Sequence, residues 1–136
     1  MIKDNLQLFY KYLDIPFKDG GRDYSGIDCF GLIKLIYKEK LNKEIKDTEI
    51  LPGDLDGFEN ELKTFSNSFQ RVFDPKIYDI ILCYKSPSEK NINHIALYIG
   101  KGRAIHAVNG QGVIIEKFIR NQVYSNMIEG FYRYKD

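Results

Sequence analysis

The sequence predicts an α+β fold, with N-terminal helices followed by an antiparallel sheet of about five strands. Two observations carry this. Apolar residues in the first half recur at intervals of three to four, the period of a helix face. From Tyr78 onward the chain breaks into short apolar runs separated by Gly-rich turns, which is a strand meander. Strands and helices do not alternate, so a parallel βαβ sheet is excluded. The 136 residues are 43% hydrophobic, enough for one core, and a single domain over 1–136 is expected.

The elements follow in order. Ile2, Leu6, Phe9, Tyr10 and Leu13 give residues 2–13 a helical face. Pro16 stops that helix, and Asp19-Gly20-Gly21 begins a loop that runs through Tyr24-Ser25-Gly26. Leu32, Ile33, Leu35, Ile36 and Tyr37 make a mostly apolar, central helix. Asp28 stands at its N-cap position, which places Cys29 in the first turn. Residues 41–55 read as a polar excursion. Phe58, Leu62, Phe65 and Phe69 return to helical spacing until Asp74-Pro75 breaks it. Strands are expected at 78–84, 94–99, 104–108, 113–116 and 130–134. The first two are separated by a loop over 86–90, so His94 is expected to open its strand.

Composition narrows the function. Twenty basic and 19 acidic residues leave a net charge of +1, without the basic excess of a general nucleic-acid binder. No apolar run approaches the roughly 18 residues of a membrane span. The start, Met1-Ile2-Lys3-Asp4-Asn5, carries an early acid and lacks the apolar stretch of a signal peptide, so cytoplasmic synthesis is expected. Two cysteines, Cys29 and Cys83, allow one disulfide that a domain of this size does not need. With no paired CxxC or HExxH spacing, neither a metal nor another cofactor is expected.

Chemistry concentrates at Cys29. A thiol attacks as its thiolate, and a helix N-terminus stabilises that anion with unpaired N–H groups and the positive end of the dipole. The chain has two histidines, His94 and His106, on neighbouring predicted strands. His94 suits the role of base, beside Cys29 at an active-site edge. His106 suits the orienting third member. The Cys29 backbone N–H is a candidate donor to a tetrahedral oxyanion. Cys83, inside Ile80-Ile81-Leu82-Cys83-Tyr84, reads as an ordinary core thiol.

These motifs together resemble the NlpC-type cysteine peptidases, which have a papain-like fold and cleave bacterial cell-wall peptides. The stretch from Ile15 through Gly20-Gly21-Arg22 to Asp28-Cys29-Phe30-Gly31-Leu32 is similar to that family's aromatic–Gly-Gly loop and Asp-Cys-Ser-Gly-Leu helix start. Tyr78-Asp79-Ile80-Ile81 resembles its Gly-Asp-Leu strand, Asn93-His94-Ile95-Ala96-Leu97-Tyr98-Ile99-Gly100 its Ser-His-Val-Gly-Ile-Tyr-Leu-Gly strand, and Ile105-His106-Ala107 its Ile-His-Ala motif. The resemblance implies amide hydrolysis through a thioester on Cys29, with His94 and His106 completing the site. The implied substrate is a peptidoglycan stem peptide, typically cut after γ-D-glutamate.

The resemblance also points to Asp28, Phe17, Phe30 and Tyr24 as substrate-binding positions. Phe30 stands where the family has Ser, and Phe17 stands near its upstream Tyr, so two hydroxyls that help hold the free amine of the stem peptide are replaced. Tyr24 is a substitute for the second. The bulky residue after Cys29 and the Gly-Gly-Arg-to-Asp-Cys spacing are similar to the phage-tail branch. That implies tail proteins as partners and action at the cell wall from a virion. Two other readings remain from the sequence: an amidase or acyltransferase on the same scaffold, and a structural tail or assembly protein with a degenerate site.

Overall fold

The computed structural model describes residues 5–45 and 68–135. A 3-10 helix, Leu6–Tyr12, leads into the short ribbon β1 (Arg22–Asp23) and β2 (Gly26–Ile27), then helix α1 (Cys29–Ile36). The strands β3 (Phe69–Val72), β4 (Ile80–Ser86), β5 (Glu89–Gly100), β6 (Arg103–Val108), β7 (Gly112–Lys117) and β8 (Ile128–Tyr134) form one antiparallel sheet in the order β3-β8-β4-β5-β6-β7.

The α+β layout is as the sequence predicts, with four local corrections. The N-terminal helix is 3-10 and short. Phe69 is in a strand, because β3 finds its partner in β8, with Phe69 opposite Tyr134. The rest of the predicted helix at 56–69, apart from residues 68 and 69, lies outside the described residues. The loop expected over 86–90 narrows to a tight turn at Pro87-Ser88, where the Ser86 hydroxyl accepts from the Glu89 N–H, so β5 begins at Glu89. His94 consequently lies inside a long strand, opposite Cys83 of β4, and does not open it.

Each face of the sheet has its own core. Ile80, Leu82, Ile95, Leu97, Ile99 and Ile105 face Leu32, Ile33 and Ile36 of α1. The alternate residues Ile81, Cys83, Ala96, Tyr98 and Ala104 pack with Phe118 on the opposite face, as the two-residue strand period requires. Asp79, buried at the head of β4, takes a two-pronged ion pair from Arg133 of β8, at 2.9 and 2.6 Å. This clamps the middle of the sheet with the Arg–carboxylate geometry that is strongest.

One irregularity matters for the site. The ladder between β5 and β6 runs from Gly100↔Arg103 to Leu97↔Ile105 and ends there. Beyond it β5 continues with β4, and β6 continues with β7. The sheet forks, and the start of α1 lies at the fork.

Candidate active site

Asp28 sets the start of α1. Its backbone is extended (φ −100°), and its carboxylate accepts from the Gly31 N–H at 2.7 Å, the hydrogen bond of an N-cap. The same carboxylate accepts from the Gly20 N–H at 3.0 Å and from Arg22 Nη1 at 2.7 Å. Gly20 bends the loop with a φ of 73°. Gly31 must be glycine for space, since a Cβ there would collide with the Gly21 carbonyl oxygen. These contacts seat Cys29 as the first residue of the helix.

The Cys29 thiol is buried and receives backbone N–H groups from Ile95, Phe30 and Cys29 itself. Ile95 lies beyond the last paired residue of β5 and β6, Leu97↔Ile105. Burial first, and the Asp28 carboxylate second, push the thiol up to about 12, against those three donors. Burial and the neighbouring His106 pull His94 down to about 3. Neither group ionises alone near neutrality. A proton passed from Cys29 to His94 makes both charges together and leaves the net charge of the site unchanged.

His94 and His106 are in direct contact. His94 Nε2 lies 2.8 Å from His106 Nδ1, with the ring planes at 66°. His106 is buried, and its Nε2 lies 2.7 Å from Glu116 Oε2. The Tyr124 hydroxyl donates to the same oxygen at 2.8 Å. The register explains the reach: His106 is opposite Ile114 on β7, and Glu116 is two residues further along the same face. Burial lowers the His106 pKa, and Glu116 opposes that shift. Phe118 stacks flat on Tyr124 at 4.2 Å and stands edge-on to His106 at 4.9 Å.

A cavity of about 280 Å³ opens here, lined by Phe17, Cys29, Asn93, His94, His106 and Tyr124 and closed by residues 107–109. Of the seven site positions expected from sequence, the structure brings Cys29, His94, His106 and Phe17 to this one cavity. Asp28, Phe30 and Tyr24 are not in its lining. Asp28 faces inward to its three donors. Phe30 is buried, with the Arg22 guanidinium 5.8 Å from its ring centre. Tyr24 stacks on Tyr12 and donates to Glu39, on the turn that follows α1.

Sequence reasoning missed Glu116 and Tyr124. The first had a signal: in Val113-Ile114-Ile115-Glu116 the acid shares a strand face with Ile114, and Ile114 pairs with His106 of β6 on that same face. Tyr124 had none, since it sits in a one-turn 3-10 helix, Tyr124–Asn126, too short to leave a periodic pattern. Among the described residues, both cysteines are free thiols, and no three His, Cys, Asp or Glu side chains gather as a metal ion needs.

A cysteine-bearing helix seated against an antiparallel sheet that supplies two histidines is the papain-like arrangement. Within that class the chain belongs to the NlpC/P60 family, whose model matches residues 14–133. Solved structures share the fold. The NlpC/p60 domain of the peptidoglycan hydrolase SagA aligns with a TM-score of 0.62 at 23% identity, over 96% of this chain and 95% of that one. An NlpC/P60 family protein from Bacillus cereus aligns at 0.71 and 24% identity, and NlpC2 from Trichomonas vaginalis at 0.69 and 24%. This chain covers 96% and 94% of its own length in those two alignments, but only 39% and 45% of theirs.

Proposed function

We propose that the chain is a cell-wall hydrolase that cleaves peptidoglycan stem peptides with Cys29 as nucleophile. The observation that carries this reading is the shared cavity: a helix-start thiol in the fork of a sheet whose two histidines are joined by a 2.8 Å hydrogen bond. Membership of the NlpC/P60 family and the fold shared with a peptidoglycan hydrolase domain support the substrate class.

In this mechanism His94 takes the Cys29 proton as Sγ attacks the amide carbon. The carbonyl oxygen becomes an oxyanion, stabilised by the Cys29 backbone N–H. His94 returns the proton to the leaving nitrogen, the C–N bond breaks, and a thioester remains on Cys29. Water then attacks the thioester with His94 again as base, releasing the carboxylic acid and restoring the thiol. His106 holds the His94 ring in position.

Recognition of a free amine by Asp28 has no geometric support, because that carboxylate is buried and bonded to Arg22, Gly20 and Gly31. Phe17 forms a cavity wall, and Asn93 stands beside it with a carboxamide suited to peptide groups. A location on a phage tail is supported by the Gly-Gly-Arg-to-Asp-Cys spacing and by Phe30. Immunogold labelling of virions, with the label expected at the tail tip, tests that location.

Digestion of purified peptidoglycan beside the Cys29→Ala variant tests the reaction. Stem-peptide fragments gaining one water per cut are expected from the wild type and none from the variant. Fragments cut between sugar and peptide would replace this reading with an amidase. Fragments joined to an added amine would replace it with an acyltransferase.

A further inference from the structure

We infer that Glu116 is a positioning residue of the active site, which fixes the tautomers of both histidines so that His94 presents Nδ1 as the basic nitrogen. The inference rests on the cysteine-hydrolase reading of the site and extends it by one residue and a direction.

The direction follows from hydrogen-bond polarity. An ionised carboxylate accepts only. Glu116 Oε2 already receives the Tyr124 hydroxyl, and it lies 2.7 Å from His106 Nε2. His106 must therefore carry its proton on Nε2. In neutral His106, Nδ1 is then a bare acceptor. His94 Nε2, 2.8 Å away, must be the N–H that donates to it. The remaining nitrogen of neutral His94, Nδ1, keeps its lone pair for the Cys29 proton. One carboxylate thus sets the proton positions on two rings, and the hydroxyl of Tyr124 holds that carboxylate in place.

Among the described residues, the surroundings offer no competing determinant. The ionisable side chains that meet the two rings come from α1 (Cys29, with Asp28 behind it), β4 (Cys83, opposite His94), β7 (Glu116) and the turn bearing Tyr124. Of these, Glu116 is the carboxylate in contact with an imidazole nitrogen. Its charge also favours the imidazolium that forms when His94 accepts the proton, in the way an acidic third member serves a Ser–His pair.

The chain has only two histidines, so ring-¹⁵N-histidine labelling of the untagged full chain reads the inference directly. At neutral pH both rings are expected as the Nε2–H tautomer. Glu116→Ala and Glu116→Gln remove the obligatory acceptor, so His106 is expected to populate the Nδ1–H form. Glu116→Asp is expected to keep the wild-type tautomers. A wild-type His106 protonated on Nδ1, or wild-type tautomers in both Ala and Gln variants, overturns the inference.

The second readout is alkylation of Cys29 by iodoacetamide against pH, followed by peptide mass. Both Glu116→Ala and Glu116→Gln are expected to slow it by about tenfold or more near neutrality, since a misplaced proton disables the base. Their alkaline limb is expected to move to lower pH, because the imidazolium loses its counter-charge. Glu116→Asp restores part of the rate. Wild-type rates and limbs in all three variants overturn the role. Neither readout uses a wall peptide, so failure of the substrate reading leaves a distinct result.

Discussion

Arg22 and Asp28 form an inward-facing ion pair at the start of the Cys29 helix, with Nη1 2.7 Å from Oδ1. Asp28 is buried, and its other partners are the N–H groups of Gly20 and Gly31. The pair is the joint between the loop and α1.

Removing the cation is therefore costly. Arg22→Ala strands a buried carboxylate, and the expected loss is about 3 kcal/mol of stability. Urea unfolding measures it. Arg22→Ala paired with Asp28→Asn is expected to recover part of the loss, because the amide oxygen still caps the helix without a charge to bury. A cost under about 0.5 kcal/mol for Arg22→Ala, the range of ordinary surface changes, contradicts this account.

Under the proposed reaction, the same pair bears on specificity. With Asp28 engaged, and with no acidic side chain among the described residues lining the cavity, a free amine on the stem peptide meets no carboxylate there. Acetylating that amine is expected to change kcat/KM by less than about threefold. A site built around the amine would reject the acetylated peptide by several orders of magnitude. Matched peptides measured side by side decide the point.

Gly31 tests the close approach of loop and helix. A methyl at this position meets the Gly21 carbonyl oxygen, and backbone does not yield cheaply. Gly31→Ala is expected to destabilise the chain by about 2 kcal/mol despite alanine's better helix propensity. It is also expected to lower kcat more than it raises KM, since it displaces the turn that carries Cys29. A stabilised variant contradicts the packing described.

Stability depends on pH through the two histidines. Both have folded pKa values below the ordinary imidazole value, mainly through burial. As pH falls, the unfolded chain takes up protons first. This contribution to stability is thus complete above about 6.5 and declines below it, continuing toward about 3, where His94 protonates in the folded state. The urea midpoint is expected to fall between pH 7.5 and 5. His94→Gln with His106→Gln is expected to flatten the curve, and an unchanged slope in the double variant overturns the assignment.

The parts of this molecule written in local sequence were legible. Asp28 before an apolar run marks a helix start, and short apolar runs between Gly-rich turns mark the meander. What depended on pairing far along the chain was not. Phe69 keeps helical spacing with Phe65, yet it lies against Tyr134 because β8 supplies an edge for β3. His94 reads as a strand opening because a loop is expected over 86–90, but the tight turn at Ser86–Glu89 lets β5 start earlier. For the site, the types Cys, His and His in order pointed to three residues that the fold brings to one cavity. Glu116 needed the β6–β7 register, and the inward commitment of Asp28 needed the position of Arg22.

The fork between β5 and β6 has a consequence for how this protein can be monitored. Cys29 and His94 belong to different packing units, one on the helix and one on the sheet. Their alignment exists only while the whole α1 face is docked. The reactivity of a single sulfur atom is therefore a gauge of global assembly. A partly loosened molecule, with strands intact and helix unseated, would change its pH profile in a thiol assay before its circular dichroism changed.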